Sequence, residues 1–472
     1  MLHNDRGHVV APMWLFSADE ATPRPPMLAL RPDYLFSDGH LLSGATLVVR
    51  GGAVERVGEP PAGAEVIPLR GRAILPGLVA AHSHAFQRAI RGRTEHRSHA
   101  RDDFWSWREA MYAAAERLSP EDLHAVSKFC FLEMARSGIT AVGEFHYLHR
   151  DAAGKPYANP NELDLAVARA AREAGLRIVL LRVAYARSGH RQPDNPRQKR
   201  FIEASADEYL ANLDALSREV PVGAAPHSVR ACPVEWIRDI AAEAFRRGWP
   251  LHLHVSEQRG EVEQCRAEHG TTPALLLERI GALRESTTAV HGVHLTDEDI
   301  AALGRARATV CACPTTERNL GDGIVRADLL LAAGARLCIG TDSEVQLSPL
   351  EDLRQLEYHL RLQQEQRAIL DPEQGGVGGL GAKLYRIGSE GGMRALGLGG
   401  GALRPGEPAD FIVVDLDDPS IAGANGDDLM AAAVFGMERT AIRETWVGGQ
   451  RLPLDFESAL PPFRAAMRRL WG

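Results

Sequence analysis

The amino-acid sequence predicts an α/β protein, a (β/α)8 TIM barrel with a small β-sandwich domain formed from both chain ends. From about Ala73 onward, eight apolar, strand-like runs alternate with segments of helical spacing, the pattern of parallel strands joined by helices. On either side of that region the runs are short and broken by Gly-rich turns, which is hairpin patterning. The chain has 472 residues, 45% hydrophobic and 25% charged, enough for one large barrel and a smaller second domain.

In chain order, LLSGATLVVRGGAVERVGE supplies the first hairpin material, and residues 1–74 are assigned to the small domain. Residues 75–385 are assigned to the barrel. Its strands are read as AILPGLVAAHSH, TAVGEFHYL, RIVLLRVAY, PVGAAPHS, PLHLHVSE, TTAVHGVHL, ATVCACP and RLCIGTD. Between them DLAVARAAREAG, ADEYLANLDALSREV and VEWIRDIAAEAFRRG space their apolar residues for helices. Residues 386–472 return to the small domain through GEPADFIVVDLDD and ETWVGGQRL and end in a helix. GVGGLG, Gly376 to Gly381, has the spelling of a phosphate loop but follows the loop DPEQG rather than a strand, so it is read as a flexible connector.

Composition excludes some partners. With 54 Lys and Arg against 62 Asp and Glu, the formal charge is −8. Such a chain has no general pull toward nucleic acid or an anionic membrane, and an anionic ligand would need a few placed arginines. Cys130, Cys232, Cys265, Cys311, Cys313 and Cys338 form no Cys-x-x-Cys pair and several sit in apolar strands; they read as buried reduced thiols of a cytoplasmic protein. MLHNDRGHVVAPMWLF lacks the apolar core of a signal peptide, and no run of 18 apolar residues suggests a membrane span.

The chemistry-bearing residues collect at strand ends. A chain with 18 histidines contains about 0.65 His-x-His pairs by chance, so position must carry the argument. His82 and His84 end the first barrel strand, and residues two apart share a face. Two such imidazoles can converge on one metal ion; taken alone, the pair suits a solvated strand end equally well. His254 ends the fifth strand, with His252 deeper and read as a hydrogen-bonded core histidine. Glu257, three residues past His254, can reach a water activated by the ion without binding the ion, as a general acid/base should. His291 ends the sixth strand and Asp342 the eighth. Barrel active sites lie at those C-terminal ends, and accident would scatter these residues instead. No lysine ends the third or fourth strand to bridge two metals, so one divalent ion is expected, with zinc suited to these ligands and iron or manganese as alternatives.

His82-x-His84, His254-x-x-Glu257, His291 and Asp342 together resemble the single-metal deaminase branch of the amidohydrolase superfamily. Within it, HSHAFQRA, FWSWREAMY, GEFHYLH, APHSVRA, HVSEQ and CPTTERNLGDG resemble the formimidoylglutamate deiminases along the whole chain. The resemblance implies a cytoplasmic homodimer of histidine degradation. It implies a metal held by His82, His84, His254 and Asp342, and conversion of N-formimino-L-glutamate and water to N-formyl-L-glutamate and ammonia. Asp342 would accept the water's proton, His291 would orient the nucleophile, and Glu257 would protonate the leaving nitrogen.

The small-molecule dicarboxylate substrate needs cations, and arginine's planar fork suits a carboxylate. The resemblance points to Arg108, Arg230, Gln87, Tyr147 and His227. Unaided, Arg230 just past a strand favours function, whereas Arg108 also suits a solvated helix position beside Trp105 and Trp107. CPTTERNLGDG is read as a loop over the site, with Thr315, Glu317 and Asn319 as caps of the next helix. His146, His149 and His294 are read as outlying or exposed, and the role of Glu344 stays open. Two rivals remain: a deaminase of a purine, pyrimidine or nucleoside-like ring amine, and a non-catalytic barrel scaffold.

Overall fold

The computed structural model describes residues 27–96, 104–193, 195–372 and 375–472, with the side chains of 104–106 outside that description. The reading of the N-terminal MLHNDRGHVVAPMWLF, and the side chain of Trp105, therefore lie outside the described residues.

All eight expected barrel strands form: Leu78–Ser83, Ile139–His146, Arg177–Ala184, Val222–Pro226, Leu251–Val255, Thr287–His291, Thr309–Ala312 and Arg336–Ile339. They pair side by side in sequence order, every pair parallel. Six of them are buried at every residue, the third at all but its first two and the eighth at all but its first. Strands covered on both faces must read as continuous apolar runs, which is why the sequence displays them. The predicted helical segments form Glu162–Ala174, Ala206–Leu216 and Val234–Arg247.

The ring closes at its C-terminal end. Thr341 and Asp342 donate their backbone N–H groups to His82 O at 3.0 and 3.1 Å, and His84 N–H donates to Asp342 O at 3.0 Å. Closure itself therefore brings His82, His84 and Asp342 together. Gly340 stands at the seam: a Cβ there would lie 2.8 Å from both His82 Cβ and His82 O. Gly340→Ala is expected to destabilise the fold by about 1–3 kcal/mol and to lower metal content, read by denaturant unfolding and elemental analysis.

Both chain ends do share one sheet. Strands Met27–Ser37, His40–Ser43, Thr46–Arg50, Ala53–Gly58 and Val66–Pro76 from the N-terminal side join Phe411–Asp415, Ile442–Val447 and Gln450–Arg451 from the C-terminal side. The sheet is mixed, because Met27–Ser37 runs parallel to Val66–Pro76 and the other pairings are antiparallel. It also curls on itself: Ala53 bridges Pro408, and Val54 N–H donates to Glu407 O at 2.8 Å. Period-two alternation divides its residues. Ile74, Phe411 and Val413 pack in the sheet's own core, while Ala73, Leu75, Ile412 and Val414 join the barrel's core.

GVGGLG is helical, within Gly376–Arg386, which corrects the connector expectation. Its glycines allow a close helix contact: a Cβ on Gly381 would lie 2.3 Å from Met430 O, and one on Gly378 2.9 Å from Asp427 O. All six cysteines are buried free thiols. Among the described residues no helix is long and apolar enough to cross a membrane.

Candidate metal centre

His82, His84, His254 and Asp342 are all buried, and their ligand atoms lie within 4.8 Å of one another. His84 Nε2 stands 3.3 Å and His82 Nε2 3.5 Å from Asp342 Oδ1. Nitrogen ligands at 2.0–2.1 Å in a tetrahedron stand about 3.3–3.4 Å apart, so the spacing already suits one ion. The surrounding bonds select the nitrogens. His84 Nδ1 is 2.8 Å from Phe145 O and His254 Nδ1 is 3.1 Å from His227 O; donation there leaves each Nε2 lone pair for a cation. His82 makes no hydrogen bond through either ring nitrogen, although the residue is fully buried. An unpartnered buried imidazole beside two others and a carboxylate is the donor set a divalent cation needs.

Electrostatics prepare the same site. Burial pushes His82 down to about 3 and lowers His84; burial and the neighbouring His227 hold His254 well below the usual histidine range. The three imidazoles are thus neutral, the ligating form. Burial alone would raise Asp342, but His82 beside it and the nearby His291 hold its carboxyl below the usual range.

Glu257 and His291 flank this cluster. Glu257 Oε1 lies 3.8 Å from His291 Nε2, which is also 3.8 Å from Asp342 Oδ2. Burial pushes the Glu257 carboxyl up. Burial would lower His291, but Glu257, Glu317 and Asp342 outweigh it and raise the imidazole to about 10. His291 and Asp342 both sit at positive φ, 71° and 52°, the backbone strain that collects at functional sites.

Gln87, Arg108, Tyr147, His227 and Arg230 all line one cavity together with His84, His254, Glu257, His291 and Asp342. Gln87 Nε2 donates to Tyr147 Oη at 2.9 Å. His252 stays apart in the core, its Nε2 2.7 Å from Ala395 O, as its depth in the strand suggested.

Some readings change. Pro314–Leu320 is itself a helix, so Thr315, Glu317 and Asn319 lie inside it rather than capping the next one. Pro314 explains the start, since proline is favoured at the first helical position. Glu317 faces inward, its Oε1 3.3 Å from His291 Nδ1 and accepting from Cys313 N–H at 2.8 Å. His146 and His149 are buried. His146 Nε2 is 2.8 Å from Leu148 O, and His149 Nδ1 is 3.2 Å from Asp164 Oδ2. His294 is half-buried. Glu344 is buried behind the seam and accepts from Thr341 Oγ1 at 3.0 Å.

A model of the amidohydrolase family matches residues 73–452. The chain belongs to the amidohydrolase family. The formimidoylglutamate deiminase of Pseudomonas aeruginosa is 40% identical over 402 residues, 84% of this amidohydrolase and 88% of that enzyme. The 5-methylthioadenosine/S-adenosylhomocysteine deaminase of Halobacterium salinarum is 28% identical over 445 residues, 93% and 94% of the two chains. Among solved structures, an amidohydrolase from Brucella melitensis superposes with a TM-score of 0.85 at 31% identity, covering 94% of this chain and 100% of that one. A zinc-bound adenosine deaminase from Xanthomonas campestris shares the fold, with a TM-score of 0.79 at 23% identity and coverage of 95% and 99%. This amidohydrolase is therefore a hydrolase whose family fold places its cavity at the C-terminal end of the barrel.

Proposed function

We propose that this amidohydrolase converts N-formimino-L-glutamate and water to N-formyl-L-glutamate and ammonia, a step of histidine degradation, with one zinc ion held by His82, His84, His254 and Asp342. The observation that carries this reading is the presence in one cavity of three members of the histidine–aspartate cluster, His84, His254 and Asp342, and two arginines, Arg108 and Arg230. 5-Methylthioadenosine, guanine and cytosine offer no carboxylate to such cations and S-adenosylhomocysteine offers one; a dicarboxylate with a terminal amidine offers two. The 40% identity to the Pseudomonas aeruginosa formimidoylglutamate deiminase supports the same substrate.

A divalent ion held by the cluster would lower the pKa of water to about 7 and so make a nucleophile available at neutral pH. The rest belongs to the chain. Asp342 Oδ2 takes a proton from the attacking water. His291 Nε2 holds the attacking oxygen in line and is itself held at Nδ1 by Glu317. Glu257 delivers one proton to the imino nitrogen as the new C–O bond forms. The proton held by Asp342 then passes to the same nitrogen as the C–N bond breaks, so that it leaves as ammonia, and the hydroxyl proton released as the carbonyl forms returns to Glu257. Gln87, Tyr147 and His227 line the same cavity as the arginines. Arg230, 7% exposed, grips a substrate carboxylate. Arg230→Met is expected to raise KM about tenfold to a hundredfold, the loss of a charge-assisted hydrogen bond, and an unchanged KM removes Arg230 from the clamp.

The deciding experiment measures ammonia release from formiminoglutamate, 5-methylthioadenosine, guanine and cytosine, with bound metal quantified. The highest kcat/KM is expected on formiminoglutamate. A purine or pyrimidine that outruns it overturns the reading, and a metal-free inert protein would favour a scaffold.

A further inference from the structure

The wall of the cavity carries two tyrosines with no task so far. Tyr112, on the helix Phe104–Arg117, and Tyr185, just past the third barrel strand, are 1% and 3% exposed and line the cavity beside Arg108 and Arg230. One side chain binds both: Gln198 Nε2 lies 2.7 Å from Tyr112 Oη and 2.8 Å from Tyr185 Oη.

A chain of bonds behind that amide fixes their direction. Asn195 N–H donates to Ser188 Oγ at 2.9 Å, so the Ser188 hydroxyl hydrogen turns to Gln198 Oε1, 2.7 Å away. With its carbonyl oxygen engaged there, the Gln198 amide presents its two N–H groups to the two phenol oxygens. Each phenol oxygen accepts, and its own hydrogen finds no acceptor among the described residues. A buried O–H without an acceptor is costly, unless whatever fills the cavity supplies one. Burial pushes the Tyr185 phenol up, so it keeps that hydrogen at neutral pH. Phe201, from the same loop as Gln198, wedges both rings in place, with ring centroids 5.8 Å from Tyr112 and 5.9 Å from Tyr185.

We infer that Tyr112 and Tyr185 bind a substrate carboxylate through their phenol O–H groups, alongside Arg108 and Arg230, and that Gln198 is the positioning residue that makes both tyrosines donors. This rests on the dicarboxylate reading of the cavity. A carboxylate has about four acceptor sites, enough for arginine and phenol donors together. A ring amine without a carboxylate would leave the phenols unsatisfied, so the pair would also reject such substrates.

Three variants test it. Tyr112→Phe and Tyr185→Phe are each expected to raise KM for formiminoglutamate about tenfold and to leave kcat within about threefold, as loss of a hydrogen bond to a charged group would. Gln198→Glu keeps the size of the side chain but offers acceptors only, so both phenols must turn their hydrogens to it and away from the cavity. Its KM should rise at least as far as in either single tyrosine variant, with metal content and melting temperature near wild type. Adding Tyr185→Phe to Gln198→Glu should then cost little more, the coupling that a double-mutant cycle reads. KM values within about twofold of wild type in the two Phe variants, or a wild-type KM in Gln198→Glu, overturn the inference. So does full additivity of the double variant. If Gln198→Glu fails to fold, the two Phe variants decide alone. A wild-type protein inert toward formiminoglutamate would instead count against the functional reading, and glutarate binding by calorimetry then tests the tyrosines without turnover.

Discussion

Replacing Glu257 by Gln is expected to cut kcat by about 10²–10⁴-fold, the usual contribution of a positioned proton donor, while metal content stays at the wild-type level. The geometry separates those two outcomes. Glu257 is buried, 3.8 Å from His291 Nε2, and stands outside the four-residue cluster. Gln preserves the volume and can still hydrogen-bond, so substrate should bind with a KM close to that of the wild type. What it cannot do is release a proton to the leaving nitrogen. Steady-state kinetics with elemental analysis of the same preparation checks both halves. Turnover within about threefold of wild type removes Glu257 from proton transfer, and loss of metal would show it to be a ligand instead.

The part of this site that the sequence displays is the part built on strands. A barrel strand is buried on both faces, so it reads as an apolar run, and a polar residue at its end stands out against that run. His82, His84, His254, His291 and Asp342 are legible for this reason, and Glu257 because it follows His254 at a short, fixed interval. What stays hidden depends on contacts between distant segments. Glu317 lies in PTTERNL, whose Pro and Thr suggest a turn, and only the packing of that helix aims it at His291. GVGGLG contains four glycines, which favour neither helix nor strand, and it is helical because another helix presses against it. Tyr112 and Tyr185 look like ordinary core aromatics until Gln198 is seen between them, since no spacing rule links residues 112, 185 and 198. The closure that gathers His82, His84 and Asp342 is legible only in part: the strand count implies it, but the hydrogen bonds at His82 O belong to the folded barrel alone.

Stripping the metal with a strong chelator is expected to abolish turnover and lower the melting temperature by a few degrees, and one equivalent of zinc per chain should restore both. The stability effect follows from His82. Its two ring nitrogens are buried without hydrogen bonds, and each such orphan costs about 1–3 kcal/mol. A cation that engages Nε2 removes one of those penalties and binds only the folded chain. At a thousand times its dissociation constant it therefore adds about 4 kcal/mol to stability. His82→Ala should mimic the stripped protein and should not recover with added zinc. His252→Asn supplies the contrast: His252 lies on the same strand as His254 but bonds Ala395 O and stands outside the cluster, so its metal content should remain at one ion per chain. Scanning calorimetry and elemental analysis read every case. Two ions per chain would overturn the single-metal reading and direct attention to His146, His149 and Asp164, a second group whose ligand atoms lie close together. A stripped protein with full activity and an unshifted melting temperature would show that the four buried side chains meet for some purpose other than holding a cation.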